Sequence, residues 1–505
     1  MPAESKESQG YAEISKARLG KSQAQEMFDY VWTPFADVDD DNIEGMIRCN
    51  MAHTIMLFEQ KIISREEAAL ILKALVDFEE NVGNFSFDPK KGDLFLNVEA
   101  YVIERTGREI GGKMHLGRGR VDLIGALMRL KVRKNLIRLL TALMALRRVL
   151  LEQAAASADA VMPAYTHLQP AQVTTFGHYL AAFYDVTTRD LRRLLAAFEA
   201  TNCSPLGAAA SSGTSWPLNR ERVAELLGFA LVLENTKDAG HNYDWMPEAV
   251  AAGAILMNNV ARVASDLYIW CTNEFALVEL DSAYAAGSSI LPQKKNPYSL
   301  EMMKARTGEV SAAFGTLLEI LKGDTGGTAF DIKLTGPRVA DNALGRVTDM
   351  VLLLTPILRT LHLNRDRMLS MAGDAFTTAV ALADRLAQTG LSFRTAHLIV
   401  GTLVKTAVER NLGYRDIDRA LLNEAACQVA GHDVDIDDAA IQEALDPRGF
   451  IKRGSGPGGP SPDEVMKMVA DRKARHAESE KRVQSLFAPV DAAEGALKTL
   501  VEQLT

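Results

Sequence analysis

An all-α fold follows from two observations: apolar residues recur at three- and four-residue spacing over long runs, and strand-like alternation is nearly absent, leaving at most one short hairpin. The length of the runs is a third. Segments 123–157, 176–202, 247–280, 299–322 and 338–362 predict rods of roughly 35 to 50 Å at about 1.5 Å per residue, hence a long central bundle. Such rods carry more apolar face than one partner covers, so self-association through the helices is expected.

The remaining elements frame that bundle. Residues 1–26 are polar and are expected to be flexible. Stretches 41–85 and 97–107 predict shorter helices joined by a loop at 86–93. Beyond the bundle, 374–389, 393–410 and 415–425 predict a smaller helical unit. The run Arg453-Gly454-Ser455-Gly456-Pro457-Gly458-Gly459-Pro460 then breaks the pattern before a charged helix at 463–485. Three domains are therefore expected: 1–118, 119–365 and 366–505.

Composition narrows the function. A chain of 505 residues with 47% hydrophobic residues buries a large core, and its net charge of −9 with dispersed lysines and arginines argues against nucleic acid. An anionic small-molecule substrate then needs a locally basic pocket. With no apolar leader and with arginine or glutamate interrupting the apolar stretches, no membrane association and a cytoplasmic location are expected. Cys49, Cys203, Cys271 and Cys427 lie far apart, without metal-ligand spacing, and read as buried free thiols. No phosphate-binding glycine loop follows a strand, so neither metal nor cofactor is expected.

Three loop segments carry groups that bind or move protons. In Gly287-Ser288-Ser289-Ile290-Leu291-Pro292-Gln293-Lys294-Lys295-Asn296-Pro297, Gly287 permits positive φ and the prolines exclude helix. It reads either as a mobile active-site segment or as an ordinary surface loop with two solvated lysines. Gly111–Arg120 combines glycines for close approach with arginines suited to carboxylates, or is a helix connection with solvated arginines. In Met162–Gln172, prolines bracket Thr166-His167, a catalytic or a structural histidine.

The loop 287–297 resembles the G-S-S-x-M-P-x-K-x-N-P signature of the fumarase/aspartase superfamily, with Leu291 in place of methionine. Gln293-Lys294-Lys295-Asn296-Pro297, Pro163 to Gly177, the Ser204-Pro205-Leu206-Gly207 segment, and Phe393-Arg394-Thr395-Ala396-His397 are most similar to its argininosuccinate lyase branch. The resemblance spans about 40 to the late 460s. It implies a homotetramer with a twenty-helix central bundle, active sites each built from three subunits, and reversible β-elimination of fumarate. It further implies Ser288 as the base, Lys294 and Asn296 as stabilisers of carbanion charge, and Thr166 and His167 on the acid side. Glu301 would orient His167, or serve the dipole of the helix it begins. Gly119, Arg120, Val121, Gln169, Ser289 and Lys333 fall at substrate-binding positions.

Departures concentrate at those binding positions. The family's G-R-S-R-N-D stands here as Gly117-Arg118-Gly119-Arg120-Val121-Asp122, so a hydroxyl and a carboxamide are absent. The segment that supplies a tyrosine, a glutamine and a lysine reads Thr328, Lys333 and Gly336. The elimination machinery is thus retained while recognition of the leaving group has changed. Argininosuccinate is the reference substrate; the alternatives are another amine or aminopolycarboxylate adduct of fumarate, or a catalytically silent scaffold.

Overall fold

The computed structural model describes residues 23–33, 40–323, 326–327 and 330–505. A short helical stretch, Gln25–Met27 continuing through Phe28–Trp32, precedes α1 (Asp40–Glu59), α2 (Arg65–Glu80) and α3 (Leu94–Thr106). Side chains set the starts of these helices. Ser64 Oγ accepts from Glu67 N at 3.2 Å while Glu67 accepts from Ser64 N at 2.9 Å, and Asp93 accepts from Leu96 N at 3.1 Å.

Next come α4 (Arg120–Ala156), the hairpin β1 (Val161–Thr166) and β2 (Gln169–Thr175), α5 (Phe176–Thr201), α6 (Thr236–His241) and α7 (Trp245–Trp270). After β3 (Val278–Glu279), β4 (Ala286–Gly287) and β5 (Lys295–Asn296), the bundle is completed by α8 (Tyr298–Leu321) and α9 (Phe330–Thr360). Three of the arginines that interrupt the apolar run of α4, Arg129, Arg133 and Arg147, are buried and bonded. Arg133 donates to Asn202 Oδ1 at 2.8 Å and Gly228 O at 2.9 Å, and Arg147 to Tyr184 OH at 2.8 Å. They tie neighbouring segments to the rod.

Two boundaries differ from expectation for identifiable reasons. The helix expected to reach 280 ends at Trp270, because the apolar residues beyond it are buried by pairing: Val278 lies opposite Leu363 in β6 (His362–Leu363). The helix expected to start at 338 starts at Phe330 and carries Pro337 inside it, packing against α4 overriding the local cost of a proline. The described residues contain four two-stranded pairs rather than one hairpin. Three of the pairs have strands of two residues, too short to leave an alternation in sequence.

The chain continues through β6, α10 (Arg365–Asp374), α11 (Ala379–Gln388), α12 (Phe393–Glu409), α13 (Arg419–Ala430), α14 (Asp438–Leu445), α15 (Pro447–Arg453) and α16 (Pro462–Leu504). One apolar core lies within the central rods, a second joins α1–α3 to the start of α4, and a third spans residues 382–445. The last helix has 43 residues, well beyond the expected 463–485. It lies on the first two cores rather than the third: Val465, Val469 and Val483 enter the central core, and Leu497 and Val501 enter that of α1–α3.

The cysteines are unpaired, but Cys427 is exposed, its thiol donating to Asp433 at 3.1 Å, and Cys271 is half-buried. Among the described residues no helix is long and apolar enough to cross a membrane.

Candidate active site

His167 stands at the tip of a hairpin. Thr166 pairs with Gln169, and the two residues between them, His167 (φ 55°) and Leu168 (φ 58°), both take the left-handed conformation of a type I′ turn. Asn-Gly serves such turns without strain; here two bulkier side chains are held there at roughly 1 kcal/mol or more each. The hairpin's base is fixed by Phe176 N to Ala160 O at 2.9 Å and Gly177 N to Ser157 O at 3.0 Å. Tyr165 packs on Phe275 with ring centroids 5.7 Å apart. Thr166, His167 and Gln169 are exposed.

The second segment is also held at its base. β4 and β5 pair Ala286 with Asn296 and Gly287 with Lys295, so the signature residues form the loop of a small hairpin. Gly287 is part of this ladder and outside the left-handed region, which removes the positive-φ hinge expected from sequence. Ser288 Oγ accepts from Leu291 N at 3.0 Å and from Ile290 N at 3.3 Å. These amides favour a negative oxygen at Ser288. The adjacent lysines differ: Lys295 is paired with Glu279 at 2.8 Å, whereas Lys294 has no carboxylate partner among the described residues. Asn296 Nδ2 donates to Gly287 O at 3.4 Å, and Ser289 is exposed.

Glu301 lies in the first turn of α8, where it accepts from Tyr268 OH at 3.1 Å. It does not orient His167 within one chain; His167 has no hydrogen-bond partner among the described residues. Two other histidines, His53 and His115, are poorly placed for acid–base work. Burial holds His53 well below the ordinary imidazole range and lowers His115 to about 3.

The third segment begins α4. Gly119 N donates to Asp122 Oδ1 at 3.1 Å, so this amide is already used. Val121 packs beside Gly240 of α6. Arg120 reaches solvent with part of its guanidinium while Nη1 donates to the buried Asp93 at 3.1 Å. Lys333 is buried in the early turns of α9, and Thr328 lies outside the described residues. A Cβ on Gly336 would meet Ile332 Cδ1 at 2.6 Å, so a side chain there requires the Ile332 side chain to shift.

The sequence reading missed Asp122, fully buried, whose Oδ2 accepts from Gly207 N at 3.0 Å and Ala209 N at 2.9 Å. Burial pushes its carboxyl up to about 6, against the opposing pull of Arg118 and these amides. Its sequence signal is that it keeps the final aspartate of the family's G-R-S-R-N-D while the two residues that differ draw the attention.

These segments occupy two ends of the bundle. Arg129 Nη1 donates to Ala200 O at 2.8 Å, so α5 ends beside the start of α4, and the hairpin follows the far end of that rod. Thr307 Oγ1 to Met257 O at 3.4 Å and the β3–β6 pair place the signature loop at the hairpin's end as well. The 37 residues of α4 separate Arg120 from His167 and Ser288 by about 50 Å. Among the described residues, no cluster of His, Cys, Asp or Glu could hold a metal ion.

A bundle of long antiparallel rods with polar loops at both ends is the fold of the fumarase/aspartase superfamily lyases that match this chain. The chain belongs to the argininosuccinate lyase branch of that superfamily: the lyase family model matches residues 39–312 and the argininosuccinate lyase C-terminal model matches residues 376–452. It is similar to argininosuccinate lyase 1 of Shouchella clausii, 34% identical over 96% of this chain and 98% of that protein. It is 35% identical to the argininosuccinate lyase of Methanosarcina mazei, over 97% of this chain and 98% of that one. Among solved structures, EDDS lyase in complex with formate superposes with a TM-score of 0.87 at 31% identity, covering 96% of both chains. A class II fumarase from Schistosoma mansoni, at 16% identity and a TM-score of 0.67 over 84% of this chain and 93% of its own, shares the fold. The protein is a carbon–nitrogen lyase.

Proposed function

We propose that this lyase eliminates fumarate from an N-substituted aspartate, with argininosuccinate as the reference substrate. The observation that carries the reading is the signature loop, where Ser288 Oγ accepts from two amide N–H groups and Lys294, unlike Lys295, has no carboxylate partner among the described residues. Ser288 removes the proton from the carbon next to a carboxylate. Lys294 and Asn296 stabilise the charge that moves onto that carboxylate. The neighbouring C–N bond then breaks, and the departing nitrogen takes a proton from the side of Thr166 and His167. Arg120 holds a substrate carboxylate, with Gln169, Ser289 and Lys333 as further contacts; Gly119 and Val121 contribute shape rather than hydrogen bonds.

The working form is a homotetramer in the cytoplasm, with an anionic small molecule as its partner and each site shared by several copies. The separation of about 50 Å between Arg120 and Ser288 supports this, since one chain cannot apply both to one molecule. Exposed Ile255, Leu318 and Leu352 on the central rods supply apolar surface for the association.

A second reading, a different amine such as an aminopolycarboxylate, is favoured by Gly119 and Val121, where the branch has serine and asparagine. One experiment separates the two. Fumarate absorbance is followed with argininosuccinate and a panel of N-substituted aspartates, the co-product is identified by mass spectrometry, and Ser288→Ala serves as control. Release from argininosuccinate alone supports the first reading, and release from other members supports the second. No fumarate from any, in either direction, removes both.

A further inference from the structure

The hydroxyl missing at position 119 has a structural reason. A Cβ on Gly119 would lie 2.7 Å from Ala209 C, 2.9 Å from Ala209 O and 3.1 Å from Ala210 N, all backbone atoms that cannot swing aside. The space a serine would take is filled by the main chain of another segment.

That segment is held from three sides. Asp122 accepts from Gly207 N and Ala209 N, as described above. From α6, His241 Nε2 donates to Ala210 O at 3.0 Å and Thr236 Oγ1 to Ser211 O at 2.9 Å. Ala208 O accepts from Gly213 N at 3.1 Å, closing the loop on itself. Ala209 is kept at φ 53°, a conformation an alanine adopts only when its surroundings impose it. Ser211 and Ser212 follow at once, their hydroxyls 3.4 Å apart.

We infer that segment 208–212, rather than the side chain at 119, sets what the site accepts beside Arg120, and that Asp122 is the positioning residue that fixes this segment against the start of α4. The inference rests on the reading above that Arg120 binds substrate. Its chemical content is specific: main-chain atoms of Ala209–Ala210 replace a hydroxyl next to the carboxylate-binding arginine, and the serine hydroxyls stand one step further out. The site is therefore reshaped toward a leaving group that meets a closer, flatter wall at 119 and hydroxyls beyond it.

The test uses the whole assembled protein with Gly119→Ser, Ala209→Gly, the double variant and Asp122→Asn. Turnover is read on whichever panel substrate releases fumarate, and fumarate binding is read by calorimetry. Gly119→Ser restores the family's residue, yet it should raise KM about tenfold with kcat within about threefold, because the serine displaces the segment. Adding Ala209→Gly frees the segment and should recover most of the loss. Asp122→Asn should raise KM in the same sense, since both carboxylate oxygens accept from main-chain N–H groups and an amide leaves only one acceptor oxygen for the start of α4 and the segment together. Gly119→Ser with an equal or lower KM, or a double variant no better than the single, overturns the inference. The fumarate arm keeps the two readings apart. Turnover with a KM indifferent to position 119 removes the inference and leaves the reaction, whereas fumarate affinity following the same order without turnover on any substrate removes the reaction and leaves the inference. Neither turnover nor fumarate binding removes both.

Discussion

Gly177→Ala tests whether the mounting of the His167 hairpin matters to catalysis. A Cβ at 177 would sit 2.5 Å from Ala154 O, 2.7 Å from Ala158 Cα and 2.8 Å from Ala158 N. Ordinary contact needs about 3.4 Å or more, so the start of α5 must move from the end of α4 by somewhat under 1 Å. Overpacking of this kind costs about 1–3 kcal/mol, and stretching Gly177 N to Ser157 O and Phe176 N to Ala160 O adds about 1 kcal/mol. Alanine returns up to about 1 kcal/mol as a better helix former, leaving a net loss of about 2 kcal/mol. The larger effect is on rate: β2 enters α5 at this point, so the displacement reaches His167, and 1 Å of misplacement costs about 100-fold. Urea unfolding and kcat/KM for fumarate release are the assays. Gly401→Ala is the control, since nothing lies within 4 Å of its added Cβ in the exposed face of α12, and it should be neutral or slightly stabilising. Wild-type stability and turnover in Gly177→Ala would refute the reasoning.

Two further outcomes follow from the same structure. Lys294→Ala should lower kcat by about 100-fold or more, whereas Lys295→Ala, which loses a largely exposed pair with Glu279, should change it by no more than about threefold; steady-state kinetics on both decide whether the lysines are distinct. Asp122 titrates at about 6 in the folded chain, above the usual carboxylate range, so the folded chain holds a proton that the unfolded one releases. Its contribution to stability is full below about pH 4 and is lost as pH rises through about 6. Urea unfolding should show wild type losing roughly 1.5 kcal/mol between pH 5 and pH 8 that Asp122→Asn does not lose, and identical pH profiles would contradict the assignment.

The rods were legible because their periodic apolar residues needed only local pattern to be seen. Their ends were not, where burial came from a distant strand: Val278 reads as helix until Leu363 is known to lie opposite it. The signature loop and the Thr166-His167 pair were visible as residue types. The amides that hold Ser288 Oγ were not, nor was the Lys294–Lys295 distinction, which depends on Glu279 sixteen residues away. Asp122 is the clearest case. Two of its partners are backbone N–H groups 85 and 87 residues further on, and main-chain donors leave no mark in a sequence. Glu301 was visible as a carboxylate, but its partner, Tyr268, is 33 residues earlier.

The last helix carries a consequence for how the chain is made. Leu497 and Val501 close the core of α1–α3, and Arg65 Nη2 donates to Gln503 O at 3.1 Å across 438 residues. The core of α1–α3 is thus completed only once α16 has been made. At roughly 5–20 residues per second, about 20 to 90 seconds separate synthesis of the α1–α3 unit from that of its final packing partner. Throughout that interval the apolar faces of α1–α3 that Leu497 and Val501 later cover remain uncovered.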